Sequence, residues 1–240
     1  MFGTKPMLRQ IEPEWLDELP AEHPDAKQSR HDLRRINAWM GNASTMAGVL
    51  RNLEDNGSGR RVIEIGAGDG EFLLSVARRM ARRPGSNPTS REAVLVDRQY
   101  LLANNTTAQF AQLRWKVQAV KADVLDFLAQ GSESDGTMIA NLFLHHFPRE
   151  TLQGILTAAS RHASAFVAIE PRRSFFSWFF AHGLGWIGCN AVTRHDAPVS
   201  VRAGFQEMEL SALWPKSPSW HLAEHRTGFF SHLFVARKLP

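Results

Sequence analysis

Three glycines at alternate positions follow a short apolar run in RRVIEIGAGDGEF, residues 60–72. Gly66, Gly68 and Gly70 have no Cβ atom, so the backbone there can adopt positive φ and lie directly against a ligand. A strand-to-helix turn also directs free N–H groups outwards, so the stretch predicts a binding loop. A dinucleotide site needs G-x-G-x-x-G, but Glu71 stands where its third glycine would be. The acidic residues around the glycines would repel a pyrophosphate and suit a ligand with positive charge.

Further chemically useful side chains follow other apolar runs of the sequence. They are Asp97, Asp123, Asn141 with His145 and His146, and Glu170. The runs themselves, at 61–65, 93–96, 117–121, 137–141 and 166–169, predict strands because they are short and apolar throughout. Segments with helical periodicity lie between them, at 70–83, 100–113, 124–130 and 148–162.

This alternation predicts an α/β fold, a doubly wound and mostly parallel sheet with helices on both faces. Ligands of such sheets bind beyond the carboxyl ends of the strands. Because the candidate residues all follow strands, we expect them to share one crevice.

The order and spacing of these residues resemble the class I S-adenosylmethionine-dependent methyltransferases, in their small-molecule, quinone- or phenol-biosynthesis-like branch. The resemblance covers about 60–170 and implies a Rossmann-like fold with S-adenosylmethionine as cofactor. It implies that the loop passes under the aminoacyl group, that Asp97 binds the ribose, and that Asp123 and Val124 contact the adenine. Asn141 would face the methionine moiety. The cofactor-binding residues expected in this way are Glu64, Gly66, Ala67, Gly68, Gly70, Asp97, Arg98, Asp123, Val124 and Asn141.

Each acidic residue of this set also has a structural interpretation. Glu64 could pair with a neighbouring arginine, although an acid inside an apolar strand is costly without a partner. Asp97 and Asp123 could be helix N-caps, which is a common role of acids after strands.

His145 and His146 follow Asn141, where the reactive methyl group would be. Methyl transfer to a phenol or enol requires that the acceptor lose a proton, and histidine titrates near neutral pH. One of the two, with His145 favoured, is therefore a candidate base. Alternatively the pair caps the next helix or lines the rim of the site. No metal site is predicted.

The segment 174–192, SFFSWFFAHGLGWIGCNAV, is rich in aromatic residues and has no charge. We interpret 174–197 as an apolar lid over a small, apolar aromatic or quinone-like acceptor. Core packing and contact with a membrane surface remain open, whereas a membrane-spanning helix is disfavoured by its histidine, asparagine and glycines. Asp196 could orient the substrate or cap the helix that follows. The candidate substrate contacts are Trp178, His182, Trp186 and His195.

The rest of the chain is expected to support this domain. Residues 1–58 are predicted to form an N-terminal helical extension, in which Ser29 caps a helix and Gly41 breaks it. Residues 59–240 would form the methyltransferase domain and end in an antiparallel hairpin around Arg226–Gly228.

The composition of the chain limits which binding partners and which cellular compartment are expected. A single cysteine excludes a disulfide framework and a cysteine-based zinc site, and fits a cytoplasmic protein. The net charge of +4 comes without a nucleic-acid recognition motif, so it gives no strong nucleic-acid signal.

The sequence thus predicts an S-adenosylmethionine-dependent methyltransferase that acts on oxygen, or on an activated ring carbon. Three alternatives remain: an RNA or protein methyltransferase, a non-catalytic cofactor-binding module of this fold, and, more weakly, a nicotinamide dehydrogenase. The sequence gives neither the acceptor nor the oligomeric state.

Overall fold

A central sheet of seven strands organises the chain in a computed structural model that describes residues 7–56, 59–82, 90–99, 101–131 and 136–239. The strand order is β3-β2-β1-β4-β5-β7-β6. The strands are β1 (Arg61–Ile65), β2 (Arg91–Asp97), β3 (Trp115–Lys121), β4 (Thr137–Asn141), β5 (Ala165–Pro171), β6 (Trp220–Thr227) and β7 (Ser231–Lys238). The first five are parallel, and β7 pairs antiparallel with both β5 and β6. This confirms the predicted mostly parallel sheet and its final hairpin.

Helices cover both faces of the sheet. They are α1 (Trp15–Glu18), α2 (Pro24–Met40), α3 (Asn42–Asp55), α4 (Glu71–Ala81), α5 (Asn104–Gln112), α6 (Val124–Ala129), α7 (Arg149–His162), α8 (Phe175–His182), α9 (Ala191–Ala203) and α10 (Glu209–Leu213). Two short 3-10 helices span Leu144–His146 and Gly183–Ile187.

Two apolar cores flank the sheet. On one face, Met46 and Leu50 of α3 pack with Leu73 and Leu74 of α4 against buried strand residues. On the other face, residues of α6, α7 and α10 pack around Phe166. The N-terminal extension therefore contributes α3 to a core of the sheet, because its apolar face is buried there.

Helix α2 begins earlier than its sequence indicated. The prediction that Ser29 caps this helix is wrong, since His23 is the N-cap and its side chain accepts a hydrogen bond from the Asp25 N–H. Pro24 fixes the first helical φ, which starts the helix there. Ser29 lies inside the helix and accepts a hydrogen bond from Thr193 Oγ1 at 2.9 Å. The predicted break is confirmed at Gly41, whose φ is +74°.

Residues 7–23 form a strap that runs across α9, and we call it the N-terminal strap. Its Gln10 N–H donates to Arg202 O at 3.1 Å. Arg9 donates to Ala203 O at 2.7 Å and to two carbonyls of the segment after β4, those of His145 and Phe147. The first six residues of the predicted N-terminal extension lie outside the described residues.

Asp196 does not cap α9. That helix begins at Ala191 with Asn190 as its N-cap, so Asp196 lies in the second turn. Its buried carboxylate instead accepts the N–H groups of Trp15 and Leu16 at 2.9 and 3.0 Å. The residue thus caps α1 from a distant part of the chain and fixes the strap. Among the described residues, every helix is too short or too polar to cross a membrane.

Candidate active site

A cavity of about 540 Å³ opens at the carboxyl ends of the parallel strands. This volume lies within the range of small-ligand sites. Two sets of polar residues line it. We call Glu64, the loop 66–70, Asp97 and Asp123 the glycine part, and Glu14, Asp17, His145 and His146 the histidine part. Asn141, at the end of β4, also lines the cavity.

The glycine loop has the backbone that its sequence predicts. Gly66, Gly68 and Gly70 have φ values of +68°, +55° and +75°, a region that favours glycine. A Cβ on Gly66 would lie 2.2 Å from the Phe143 ring, and one on Gly70 would lie 2.7 Å from Leu95 Cδ1. A Cβ on Gly68 would meet no atom within 4 Å. The first and third glycines thus serve packing, whereas the second leaves open space for a ligand.

Glu64 is buried in β1 and lines the cavity. Its Oε2 has no hydrogen-bond partner in the described part of the chain. Burial raises the pKa of this carboxyl well above its ordinary value, and the charges of Asp69 and Asp97 raise it further. Within the described ranges no arginine pairs with Glu64, because Arg34, which also lines the cavity, pairs with Asp69 at 2.7 Å. A cationic ligand would therefore supply the positive charge that Glu64 lacks.

Asp97 and Asp123 lie at the ends of β2 and β3 and line the same cavity. Asp97 Oδ2 accepts the Gly68 N–H at 2.9 Å, and Oδ1 accepts the Gln99 N–H at 2.9 Å. Its carboxylate therefore orients the loop and keeps lone pairs for a ligand hydroxyl. Asp123 is the N-cap of α6 and accepts the Leu125 N–H at 2.8 Å.

Other residues expected at the cofactor also reach the cavity. Ala67, Arg98 and Val124 line it, and Val124 is buried. Asn141 Oδ1 accepts a hydrogen bond from Asn42 Nδ2 at 3.2 Å, which ties the end of β4 to α3. Nine of the ten residues of the predicted cofactor set thus line the cavity, and the tenth, Gly70, ends the loop as the N-cap of α4.

Glu170 holds the segment after β4 in place. This fully buried carboxylate accepts the N–H groups of Phe143 and Leu144 at 3.1 and 2.9 Å. It also accepts the His145 N–H at 3.3 Å and contacts His145 Nδ1 at 2.8 Å. Leu142, which starts the segment, has a φ of +51°, an unusual backbone for a residue with a side chain. The position of both histidines therefore depends on one acid at the end of β5.

Glu14 of the N-terminal strap faces both histidines. Its Oε1 lies 3.3 Å from His145 Nε2, and its Oε2 lies 3.3 Å from His146 Nε2. Burial would raise the pKa of Glu14, but the close contacts and the charge of the two imidazoles hold it below its ordinary value. Burial by itself would lower the pKa of His146. The carboxylates of Glu14 and Asp17 outweigh this effect and raise the pKa to about 9. Without a ligand, a charged His146–Glu14 pair thus forms at neutral pH.

Neighbouring residues hold the strap against this part of the cavity. Ser200 Oγ donates to Glu14 Oε1. Trp15 stacks on His195 with ring centroids 3.8 Å apart, and His195 Nδ1 lies 2.8 Å from Asp196 Oδ1. His195 therefore supports the strap and does not itself line the cavity.

The structure does not bring the other candidate substrate contacts to the cavity. Trp178, His182 and Trp186 belong to α8 and the 3-10 helix after it, and no residue of 174–192 lines the cavity. His182 Nδ1 contacts Trp178 O at 2.8 Å, and Trp186 is 95% exposed. The cover over the cavity comes instead from the strap and from α2, through residues such as Leu16 and Leu33.

Sequence reasoning missed Glu14 and gave Glu170 no role. Glu170 was visible as an acid at a strand end, the same signal that Asp97 and Asp123 carry. Glu14 had no signal, because it lies in a segment rich in proline and acids and far from every strand.

Solved methyltransferases share this fold. The plantazolicin methyltransferase BamL, solved with a triazolic desmethylPZN analog and SAH, has a TM-score of 0.63 and 11% identity over 90% of this chain and 92% of that chain. An O-methyltransferase from Nostoc punctiforme has a TM-score of 0.53 and 17% identity over 84% of this chain and 60% of that chain. The magnesium protoporphyrin IX methyltransferase of Synechocystis, solved with SAH, has a TM-score of 0.51 and 12% identity over 93% and 90%.

These likenesses establish the fold. The chain has the fold of the class I S-adenosylmethionine-dependent methyltransferases, as the resemblance of its motifs implied. It spans about three fifths of the length of the O-methyltransferases from Nostoc punctiforme and Burkholderia thailandensis, 60% and 63%. No protein-family model and no curated protein matches the sequence.

Proposed function

We propose that this protein is an S-adenosylmethionine-dependent methyltransferase that methylates the oxygen, or an activated ring carbon, of a small apolar acceptor. The observation that carries the proposal is the open space above Gly68, with the carboxylates of Glu64, Asp97 and Asp123 converging on it from three neighbouring strands. A sulfonium nucleoside offers what this arrangement lacks, which is positive charge beside Glu64 and hydroxyl or amino donors for the two aspartates.

The cofactor, when bound, supplies an electrophilic methyl group. In the proposed orientation Asp97 accepts the ribose hydroxyls, and Asp123 with Val124 holds the adenine. Glu64, Asn141 and Arg98 surround the methionine part. The methyl group would then face the segment after β4, where His145 and His146 lie.

The chain's own residues mainly have to align the acceptor, exclude water and remove a proton. Phe143 and Phe147 line the histidine part and give it an apolar wall. His145 and His146 are the groups proposed to activate the acceptor. In the simplest route, Nε2 of His145 would accept the hydroxyl proton as the acceptor oxygen takes the methyl group and the carbon–sulfur bond of the sulfonium breaks, which releases the neutral thioether. The charged His146 would then stabilise negative charge on the acceptor oxygen.

Calorimetry with S-adenosylmethionine and its demethylated product tests the cofactor. We expect saturable binding of both, because neither requires an acceptor. A panel of phenols and quinols with methyl-labelled cofactor then identifies the acceptor class by mass spectrometry. Absence of heat with both nucleosides would contradict the proposed cofactor.

RNA in the same labelling assay tests the principal alternative. The acids Glu14 and Asp17 at the histidine part oppose a phosphate backbone, so we expect RNA to remain unlabelled. Cofactor binding without labelling of any acceptor would favour the non-catalytic module.

We further propose that an exposed aromatic surface contacts a membrane that holds the acceptor. This aromatic surface consists of Trp39, Phe175, Phe176, Phe179, Phe180, Trp186 and Phe229, all exposed. Helix α8 buries only Ser177 and Ala181 and turns its four phenylalanines outwards. Phe176 packs 6.1 Å from Phe229 at the tip of the β6–β7 hairpin, so the two elements present one surface. Exposed apolar patches of this kind mark interaction sites.

The charges around the aromatic surface favour an anionic lipid layer over a second copy of the chain. Arg194, beside Gly185, and Arg226, three residues before Phe229, are exposed, whereas Arg35 donates to Ile187 O and pairs with Asp32. No acidic residue occurs in 171–195 or 225–240. Helix α2 carries Ala38 in the cavity lining and Trp39 in the aromatic surface, so the two regions adjoin. We propose the cytoplasm as the compartment, consistent with the free Cys189.

Vesicle sedimentation tests this contact. We expect the wild-type protein to sediment with vesicles containing phosphatidylglycerol and the double variant Phe175→Ser, Phe179→Ser to remain in solution. The matched control replaces two exposed apolar residues elsewhere, Leu125→Ser with Met208→Ser. Equal sedimentation of both variants and the wild type would refute the contact. A dimer that only the first variant disrupts would assign the surface to a second copy.

A further inference from the structure

Glu14, His145 and His146 form a compact group of potential metal ligands at the histidine part of the cavity. One ligand atom from each residue lies within 4.8 Å of the other two. The two closest pairs are each 3.3 Å apart, from Glu14 to Nε2 of either ring. Ligand atoms bonded to one transition-metal ion at about 2.0–2.2 Å have similar mutual separations.

The Nδ1 atom of each imidazole ring already has a hydrogen-bond partner. His145 Nδ1 lies 2.8 Å from Glu170 Oε2, and His146 Nδ1 lies 2.9 Å from Phe143 O. Both partners are acceptors, since Glu170 also accepts three backbone N–H groups. Each Nδ1 therefore carries a proton, and in the neutral imidazole each Nε2 presents a lone pair towards Glu14. Metal-binding histidines are oriented in this way by a carboxylate or a backbone carbonyl.

One nitrogen of the group lacks a hydrogen bond. His145 Nε2 is buried and has no hydrogen-bond partner in the described part of the chain, although it faces a carboxylate oxygen. A proton on His146 can form a hydrogen bond only with the Glu14 oxygen that faces His146, so His145 Nε2 still lacks a hydrogen-bond partner. One divalent cation would satisfy both nitrogens and the carboxylate together, which a single proton does not.

We propose that Glu14, His145 and His146 bind a divalent transition-metal ion such as Zn²⁺. Two imidazoles and one carboxylate suit Zn²⁺, whereas Mg²⁺ prefers oxygen ligands. The three residues line the cavity, so the remaining coordination position faces it.

The ion's role rests on the proposed function, although its binding does not. If the acceptor hydroxyl binds at the open position, the cation polarises its oxygen and favours loss of its proton. With the ion bound, the histidines hold it and the hydroxyl proton would pass to solvent water, so the route through a histidine Nε2 applies only to the metal-free site. The N-terminal strap becomes part of the site, because it supplies the only carboxylate of the proposed ligand set.

Metal binding to the full-length protein tests the proposal without any acceptor. After treatment with a chelator, the wild-type protein is titrated with Zn²⁺ and, separately, with Mg²⁺. We expect one Zn²⁺ per chain and no saturable binding of Mg²⁺. Replacement by Co²⁺ should give visible absorption bands typical of nitrogen and oxygen ligands at low coordination number. Absence of saturable Zn²⁺ binding would overturn the proposal.

Variants locate the ion. We expect Glu14→Gln and His146→Ala to lose the binding, and His221→Ala, an exposed histidine of β6, to retain it. If the ligand variants retain it, the assignment is wrong. If either fails to fold, the Co²⁺ spectrum of the wild-type protein still decides whether imidazole and carboxylate ligands are present. Binding of S-adenosylhomocysteine is measured in parallel, so a failure of the proposed cofactor is distinguished from a failure of the metal site.

Discussion

The two parts of the cavity are built in different ways. The glycine part comes from one contiguous motif and two strand ends, so each of its residues lies within a few positions of β1, β2 or β3. The histidine part joins the strap, the segment after β4, the end of β5 and α9, which are far apart in the sequence. The proposed cofactor site therefore depends on local sequence, whereas the proposed acceptor site depends on how distant segments meet.

Replacement of Gly68 by valine should have the largest effect, and it should be confined to the glycine part. A side chain there fills the open space above the loop and strains a backbone with φ of +55°. We expect calorimetry to show no binding of S-adenosylhomocysteine, while Zn²⁺ binding is unchanged.

The variant Gly188→Val distinguishes the effect of backbone strain from the effect of blocking the cavity. Gly188 has a φ of +79° and an equally open surrounding, but it lies outside the cavity. Both variants should lose about 1–2 kcal/mol of stability from the left-handed backbone. If Gly188→Val also abolished nucleoside binding, strain and not the cavity would explain the result.

His146→Ala should break the histidine part alone. Turnover should fall by about 100-fold or more, as expected when a group that activates the acceptor is lost. The affinity for S-adenosylhomocysteine should stay nearly constant, because His146 belongs to the other part of the cavity. Steady-state kinetics and calorimetry measure the two quantities, and His221→Ala serves as the control. A variant that lost cofactor affinity and kept its turnover would contradict the division into two parts.

Glu64→Gln should have a smaller effect, which is a change in how the stability of the folded protein depends on pH. The pKa of Glu64 is raised in the folded protein above its ordinary value of 4.5, so the folded state holds a proton that the unfolded state releases. Stability of the cofactor-free protein should therefore fall as pH rises from that value towards the folded-state pKa. In the variant this decline should be absent, so its stability relative to wild type should increase with pH.

Urea unfolding at several pH values between 5 and 9 measures this difference. A constant difference across the range would mean that the carboxyl titrates as it does in the unfolded chain. With S-adenosylmethionine present, positive charge near Glu64 favours its ionised form, so cofactor binding should release a proton.

Much of the sheet could be predicted because its signals are local. The strands at 61–65 and 137–141 have the predicted bounds, and β2, β3 and β5 extend the predictions by one or two residues at their ends. The added residues belong to the strands because backbone pairing, and not hydrophobicity, sets the limits; Ala165 and Pro171 of β5, for example, pair with Arg237 and Ser231 of β7. The start of α2 was misjudged because Ser29 has the composition of an N-cap but is used in burial against Thr193.

The aromatic segment 174–192 is a region whose orientation local sequence patterns did not predict. Its composition predicted a lid and left core packing and membrane-surface contact open, and α8 presents its phenylalanines to solvent and its small residues to the protein. The periodicity of α8 did not indicate which face is buried, because apolar residues occupy nearly every position of the helix and define no single face.

Local sequence patterns were sufficient to predict the glycine loop, the acids at the strand ends and the parallel sheet that brings them together. These follow from backbone freedom at glycine and from the geometry of parallel strands, both of which act over a few residues. Only the tertiary structure placed Glu14 beside the two histidines, and made Glu170 and Asp196 anchors of the segments that carry them. Such contacts join residues more than 130 positions apart for Glu14 and at least 180 positions apart for Asp196, so their partners are set by chain packing and not by local pattern.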